Sequence, residues 1–347
     1  MIYRYILKPL FFKFDPESVH DFMVSFGEIL GGNWITRNLT RLVYGYNGKD
    51  ISKTVDGLRY KTPFLLSAGF DYDGRLSKIL PCIGFGGEEI GSVTAKPYLG
   101  NPKPRLTRLP KSRSIIVNKG LKNEGVEKII ERLGQLKKND FVLGISIAKT
   151  NCLDTAGTDG AIADYLYSFR RLNEENIGDY YTINISCPNA YGGESFITAE
   201  LLQKLLSAIR TVPCHKPIYI KMPINIPWEQ FQSLLKVIDQ NKINGVIIGN
   251  LNKDYSHLDH RHEAPEEYRG GLSGKVCRKL STDLIKKTKQ LYGSRFTIIG
   301  VGGVMSTEEA KEKFDAGADL VQLITGMIYE GPSLIKKLCK DFAKTRF

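Results

Sequence analysis

The stretch "YYTINISC", residues 180–187, is the part of the sequence that most directly indicates the fold. It is a short run of aromatic and β-branched residues that ends in two small polar side chains, Ser186 and Cys187. A nearly continuous apolar run of this length is typical of a strand buried on both faces, as strands are in parallel sheets. The stretch therefore predicts a parallel sheet in which Cys187 stands at the carboxyl end of one strand.

Seven further segments have the same character. They are "FLLSAGF" (64–70), "EEIGSVTA" (88–95), "FVLGISIA" (141–148), "IYIKM" (218–222), "GVIIGN" (245–250), "FTIIGVGG" (296–303) and "LVQLITG" (320–326). Amphipathic segments such as 198–210, 227–240, 281–292 and 306–318 lie between them and predict helices, with Thr198 and Ser306 as N-caps. Eight strands alternating with helices predict an α/β protein with the (β/α)8 TIM-barrel fold rather than a doubly wound open sheet.

The residues before the barrel predict a separate helical element. In "DPESVHDFMVSFGEIL" (15–30), Asp15 is a predicted N-cap and Pro16 takes the first helical position. We expect a helical extension over residues 1–45 and a barrel over 46–347. The extension is either a helix packed on the barrel or, because residues 1–14 are apolar and basic, an element for membrane contact and quinone access. No apolar run is long enough to predict a membrane span.

The composition indicates a soluble globular protein, with 42% hydrophobic and 25% charged residues. The net charge of +12 fits a nucleic-acid partner, an anionic membrane or simple solubility. Because the lysines are scattered and form no long basic tract, we expect no nucleic-acid partner. The six cysteines have neither metal-type nor disulfide-type spacing. The histidines of "HLDHRH" (257–262) are interpreted as part of a mobile, solvated loop rather than as metal ligands.

Three glycine-rich stretches predict a phosphate site. They are "GGLSGK" (270–275), "IIGVGGV" (298–304) and "LITGMIYEGPSL" (323–334). Loops after the last two strands of a barrel commonly hold a phosphate with backbone N–H groups, which favours a mononucleotide cofactor. Lys221, at the end of the fifth strand, either reaches solvent or stabilises negative charge on a reduced flavin.

Four asparagines stand at strand ends or in the loops that follow them: Asn118, Asn184, Asn189 and Asn250. Amides both donate and accept, which suits a flat heterocycle, although asparagine is also a common turn residue. Cys187 is accordingly either a buried small side chain or an acid/base.

The motifs together resemble the dihydroorotate dehydrogenase family, in particular its membrane-associated, quinone-dependent class. The matching stretches are "DPESVHDF" (15–22), "SAGFDYDG" (67–74), "GNPKPRLTRL" (100–109), "NKGLKNEGV" (118–126), "INISCPN" (183–189), "GGLSGK" (270–275), "IIGVGGV" (298–304) and "AGADLVQLITGMIYEGP" (316–332).

This resemblance implies FMN in the barrel mouth and oxidation of dihydroorotate to orotate in pyrimidine biosynthesis. Cys187 would take the C5 proton, hydride would pass from C6 to the flavin, and a quinone would reoxidise the flavin. The implied FMN contacts are Ala68, Gly69, Thr94, Ser146, Lys221, Gly249, Ser273, Gly274, Gly302, Gly303, Thr325 and Gly326. Substrate contacts are Tyr72 and the four asparagines, and His20 and Arg108 belong to a quinone tunnel. The implied location is cytoplasmic, peripheral on the inner face of a membrane.

The chain departs from the family pattern at several positions. The quinone-dependent class has serine where this chain has Cys187, and the lysine that pairs with the substrate carboxylate is Tyr72 here. Lys96 and Lys119 are the nearby cations that could substitute for this lysine. Further differences are Ser146 in place of an asparagine, Leu251 in place of a hydroxyl residue and Ile324 in place of a tyrosine. The alternatives are a paralogue that acts on another cyclic amide or enoate, an enzyme similar to RNA dihydrouridine synthases, and a flavin-binding protein without catalysis.

Overall fold

The computed structural model describes residues 2–136, 140–187, 191, 196–267 and 270–345. The strands are β1 (Lys53–Val55), β2 (Leu58–Tyr60), β3 (Phe64–Leu66), β4 (Gly87–Val93), β5 (Leu106–Leu109), β6 (Ser114–Val117), β7 (Val142–Ile147), β8 (Tyr180–Asn184), β9 (Ile218–Met222), β10 (Gly245–Ile248), β11 (Gly271–Gly274), β12 (Thr297–Val301) and β13 (Leu320–Leu323). The helices are α1 (Lys8–Phe11), α2 (Pro16–Gly32), α3 (Trp34–Tyr44), α4 (Leu80–Ile83), α5 (Val126–Gly134), α6 (Thr158–Glu174), α7 (Ala199–Ile209), α8 (Trp228–Gln240), α9 (Arg278–Tyr292), α10 (Thr307–Asp315), α11 (Thr325–Glu330) and α12 (Ser333–Thr345).

Eight parallel strands form a closed barrel, which confirms the predicted (β/α)8 fold. Around the barrel the order is β3, β4, β7, β8, β9, β10, β12 and β13, and β13 pairs with β3 to close it. In the parallel pairing of β8 with β9, Asn184 lies beside Lys221. The carboxyl ends of these strands therefore meet at one mouth, as in other barrels.

The barrel interior changes from apolar to polar along its axis. Its apolar layer is closed at the amino end by the β1–β2 hairpin, whose Tyr60 is fully buried. Higher up, Glu89 Oε2 accepts hydrogen bonds from Thr182 Oγ1 at 2.9 Å and from Gln322 Nε2 at 3.2 Å. A buried carboxylate needs such partners, since burial without them is costly. The interior thus carries a hydrogen-bonded carboxyl group beneath the mouth.

The helices begin where side-chain caps predict. Thr198 accepts a hydrogen bond from the amide of Leu201, and Ser306 accepts one from the amide of Glu309. Both N-cap predictions are confirmed, and the side chains satisfy amides that have no partner within the helix.

A second, antiparallel sheet of β5, β6 and β11 lies at the mouth and was not predicted. Within the glycine-rich stretch 270–275, residues Gly271–Gly274 form β11 and pair with β6. In the loop over 257–262, His257, Asp259, Arg261 and His262 are exposed, as expected of a solvated loop. Leu258 packs in a buried cluster with Leu109 and Leu272 and attaches the loop to this sheet.

The N-terminal helix α2 begins at Pro16, capped by Asp15, whose side chain accepts from the amide of Ser18, as predicted. It packs on the barrel through small residues. A Cβ added at Gly31 would lie 3.1 Å from Lys78 Cβ, so the backbones approach closely there. The aromatic residues point away, because Phe22 and Phe26 are 57% and 45% exposed. Among the described residues, no helix is long and apolar enough to cross a bilayer.

Candidate active site

A cavity lies at the barrel mouth between the strand ends, helix α2 and the antiparallel sheet. It brings together residues from across the chain that the sequence singled out: His20, Ala68, Gly69, Tyr72, Asn184, Cys187, Lys221, Asn250 and Ser273. It also contains Ser92, Lys119 and Lys122, and its walls carry apolar side chains from β5, β6 and α11. A largely apolar cavity with a few convergent polar groups is the usual form of a small-molecule site.

A chain of hydrogen bonds orders the polar side of this cavity. Asn184 Nδ2 donates to Ser92 Oγ at 2.8 Å, and Ser92 Oγ lies 2.7 Å from Ser146 Oγ. On the other side, Ser186 Oγ donates to Asn184 Oδ1 at 3.2 Å, and Asn250 Nδ2 donates to Ser186 Oγ at 2.6 Å. These hydrogen bonds fix the orientation of the side-chain amides of Asn184 and Asn250. Residues that recognise a ligand need such fixed orientations.

Cys187 follows β8 and lines the cavity while half-buried. Lys149 stands nearby, with its Nζ donating to the carbonyls of Thr155 at 3.1 Å and Tyr191 at 2.9 Å. Burial lowers the pKa of Lys149, and the charges of Cys187 and Asp164 oppose that shift.

Lys221 is buried at the base of the cavity. Its Nζ lies 3.4 Å from Ser67 Oγ and 3.6 Å from Glu89 Oε1. The side chain is only 5% exposed, so it does not simply reach solvent at the strand end. A lysine held at this place puts a positive charge where a flavin ring could meet it.

A smaller cavity continues beside the first and fits a phosphate group. Ser273, Gly302, Gly303, Thr325 and Gly326 line it. No described residue accepts a hydrogen bond from the backbone N–H groups of Gly302 and Gly303. Both glycines have positive φ angles, 110° and 74°, which side-chain-bearing residues rarely adopt. Ser273 Oγ and Thr325 Oγ1 lie 2.9 Å apart across the opening. Amides and hydroxyls of this kind are the donors that a phosphate needs.

Several predicted site residues lie outside these two cavities. Thr94 Oγ1 donates to the carbonyl of Lys96, and Asn118 Oδ1 accepts from Asn101 Nδ2 at 3.0 Å. Ser146 reaches the cavity only through Ser92. Gly249 and Gly274 allow close backbone approach, since an added Cβ would lie 2.2 Å from the carbonyl oxygen of Val301 and 2.5 Å from that of Arg113. Asn189 lies outside the described residues.

Of the two predicted quinone residues, His20 lies within α2, and Arg108 of β5 contacts the segment before α2. His20 Nε2 donates to the carbonyl of Phe70 at 2.8 Å, and its ring lies against Tyr72 with centroids 5.2 Å apart. Arg108 Nη1 donates to the carbonyls of Phe11 and Phe14, and its guanidinium lies 4.8 Å from the centroid of the Phe12 ring. His20 thus lines the cavity, whereas Arg108 anchors the segment that leads into α2.

One cluster at the cavity edge was missed by sequence reasoning. Glu17 of α2 receives a bidentate hydrogen bond from Arg105 and lies 2.7 Å from Lys119 Nζ. Burial acts to raise the pKa of Glu17, but hydrogen bonds from Arg105 and Lys119 outweigh it and lower the pKa to about 2. In the sequence, Glu17 is only an acidic residue in the first turn of a helix, and a favourable interaction with the helix dipole explains its presence equally well.

Comparison with known proteins places this geometry in a family. The family model described as Dihydroorotate dehydrogenase matches residues 50–345. The chain belongs to the dihydroorotate dehydrogenase family. It is 34% identical to a Dihydroorotate dehydrogenase (quinone) of Synechococcus sp., over 99% of this chain and 94% of that one. It is 36% identical to a protein of the same name from Christiangramia forsetii, over 97% of both chains. It is accordingly an oxidoreductase of the dihydroorotate dehydrogenase type.

Solved structures show the same architecture. A ligand-free DHODH from Eimeria tenella superposes with a TM-score of 0.80 at 25% identity, covering 96% of each chain. A second structure of the Eimeria tenella protein, in complex with ferulenol, gives a TM-score of 0.80 at 24% identity, over 95% of this chain and 91% of that one. The likeness in fold extends to the N-terminal helices, since both superpositions cover nearly the whole chain.

Proposed function

We propose that this protein uses FMN to oxidise dihydroorotate to orotate, with Cys187 as the base and a quinone as the electron acceptor. The observation that carries the proposal is a single continuous site. The cavity that holds Cys187, Asn184 and Asn250 adjoins a smaller one with the donors of a phosphate site. The relatives named above are dihydroorotate dehydrogenases (quinone), which supports the same assignment.

FMN fits the two adjoining cavities. The amides of Gly302 and Gly303, with the hydroxyls of Ser273 and Thr325, would hold its phosphate. Lys221 would lie near the ring, where its charge stabilises the reduced form. Held there, the flavin would supply a hydride acceptor for C6 of dihydroorotate and a route for the electrons to a quinone.

Cys187 removes the proton from C5 of dihydroorotate, and its Sγ carries that proton. Cys187 lines the cavity and is half-buried, so its sulfur can contact a substrate bound there. Asn184 and Asn250 bind the pyrimidine through their amides, which match its adjacent N–H and C=O groups. Because the hydrogen-bond chain through Ser92 and Ser186 fixes those amides, the substrate is oriented before proton removal.

The N-terminal helices support a peripheral contact with a membrane, from which quinone would reach the cavity. Of 19 exposed large apolar side chains among the described residues, 14 lie within residues 2–43. We call this set the apolar N-terminal face: Ile2, Tyr5, Ile6, Leu7, Leu10, Phe14, Phe22, Phe26, Ile29, Trp34, Ile35, Leu39, Leu42 and Val43. Arg4, Lys8 and Lys13 accompany it, and such a combination suits anionic lipid.

Anaerobic mixing of the FMN-loaded protein with dihydroorotate tests the proposal. We expect loss of the flavin's visible absorbance, with a rate that rises with pH through the range in which a thiol titrates, near pH 8.5. Cys187→Ser should slow the reaction and remove that pH dependence, since a serine hydroxyl does not titrate there. Cys214→Ser is the matched control, because Cys214 precedes β9 at the amino end of the barrel. No bleaching at millimolar dihydroorotate would rule out this substrate, and an unchanged Cys187→Ser profile would remove Cys187 from the mechanism.

A further inference from the structure

We propose that Lys119 is the cation that binds the carboxylate of the substrate, a role that rests on the proposed function. The substrate is an anion, and its carboxylate needs a positive partner in a largely apolar cavity. Tyr72 occupies the position from which a lysine is expected. The Nζ atom of Lys119 lies 5.7 Å from the centroid of the Tyr72 ring. The ammonium of Lys119, which follows β6, therefore lies close to the place where a lysine from the turn after β3 is expected.

The surroundings of Lys119 favour a ligand role over a purely structural one. Its side chain is 6% exposed and lines the cavity that also contains Cys187 and Asn184. Glu17 is its partner at 2.7 Å, but Arg105 already pairs with both oxygens of that carboxylate. Lys119 therefore adds a second positive charge to a carboxylate that is already neutralised.

The charges of the whole cluster point the same way. Lys122 lies 3.5 Å from Glu17 and 3.6 Å from Asp21, which makes three cations against two carboxylates. The excess positive charge faces a cavity in which it is weakly screened. A bound carboxylate would balance it, and a lysine retains N–H donors beyond the one directed at Glu17.

Other lysines near the site are less suited to this role. Lys96 is 65% exposed and pairs with Asp154 at 3.1 Å, outside the cavity. Lys221 lies at the base of the barrel mouth, next to Glu89. Lys122 lines the cavity but is 28% exposed and is shared between Glu17 and Asp21. Lys119 is thus the buried cation of this cavity whose carboxylate partner is already paired with an arginine. Glu17, which belongs to α2, acts as a positioning residue that holds the ammonium over Tyr72.

Binding measurements that do not depend on turnover test this role. Orotate and its methyl ester, which lacks the negative charge, are titrated into four FMN-loaded proteins: the wild type, Lys119→Met, Lys122→Met and Lys96→Met. The shift in flavin absorbance gives the dissociation constant of each ligand. Lys119→Met should weaken orotate binding by about 10–100-fold and leave the ester within about threefold, because a charge-assisted contact is lost. Lys96→Met, the matched exposed control, should leave both constants unchanged.

Each outcome separates this inference from the proposed function. If the wild type binds no orotate, the proposed function fails. If the wild type binds orotate and Lys119→Met binds it equally well, or if Lys122→Met causes the larger loss, only the role of Lys119 is overturned. Should Lys119→Met lose its FMN, Lys119→Gln keeps a polar partner for Glu17, and the ratio of the orotate and ester constants in that variant decides the question.

Discussion

Individual side chains at the barrel mouth depend on partners that are distant in sequence. Asn184 is held by Ser92, and Glu17 is held by Arg105, 88 residues further along the chain. The sequence predicted that Asn184, Cys187, Lys221 and Asn250 would converge, because each stands at the end of a buried run. It could not predict which serine orients which amide, since that depends on strand register. Lys119 was recognised as a nearby cation, but its pairing with Glu17 could not be predicted for the same reason.

Glu17 should stabilise the protein in a pH-dependent way. Its folded pKa of about 2 lies below the ordinary value, so its stabilisation is present above about pH 4.5 and is lost as the pH falls towards 2. We expect Glu17→Gln to lower the free energy of unfolding at pH 7 by about 3–5 kcal/mol, because two buried cations lose their carboxylate. The difference from wild type should shrink in acid.

Urea unfolding at pH 7 and at decreasing pH measures this effect. Glu200→Gln is the control, since Glu200 is exposed and pairs with Lys204 one helical turn away. Its unfolding should match that of the wild type at neutral pH. A Glu17→Gln protein as stable as the wild type at pH 7 would show that the cluster does not stabilise the fold.

Among the elements, the barrel strands and helices were predictable and the antiparallel sheet was not. A buried parallel strand is a local apolar run, and Thr198 and Ser306 are local caps, so both can be recognised within a few residues. Strand β11 is only four residues long and contains two glycines, and it exists because β6 pairs with it. A pattern rich in glycine indicates a turn unless the partner strand is known.

The loop after β12 should be intolerant of side chains if it holds the phosphate of FMN. A Cβ at Gly303 would lie 2.5 Å from Arg278 Cβ, at a φ of 74°. Gly303→Ala should therefore reduce the FMN content of the purified protein several-fold. Gly293→Ala is the matched control, because Gly293 also has a positive φ but nothing within 4 Å of the added Cβ. Equal FMN content in the two variants would argue against this loop as the phosphate site.

At the scale of the whole molecule, the helical extension and the barrel share one site, since α2 supplies His20 and Glu17 to the edge of the cavity. The division at residues 45 and 46 stays a prediction. Phe22 and Phe26 of α2 are exposed, whereas the helix approaches the barrel closely at Gly27 and Gly31. Periodicity shows that a helix has an apolar stripe, yet it cannot tell whether protein or lipid covers that stripe.

The apolar N-terminal face should bind membranes. The double variant Phe22→Ser, Phe26→Ser should lower affinity for anionic phospholipid vesicles by about tenfold or more, because two exposed aromatic rings no longer enter the lipid. Flavin reduction by dihydroorotate should stay unchanged, while quinone turnover on vesicles should fall. Leu291→Ser, at an exposed position of α9, is the control in a vesicle sedimentation assay. Equal sedimentation of the double variant and the control would show that this face does not contact lipid.

The closure of the barrel by β13 and β3 has a consequence for how the protein is made. Leu65 pairs with Gln322, so the first and last strands of the barrel are more than 250 residues apart. During synthesis, the barrel remains an open, incomplete sheet until β13 has been translated. Contacts between such distant segments form slowly, because a long loop must be closed before they contribute stability. The apolar N-terminal face emerges from the ribosome long before the barrel can close, so its side chains are open to chaperones or lipid while the barrel is still incomplete.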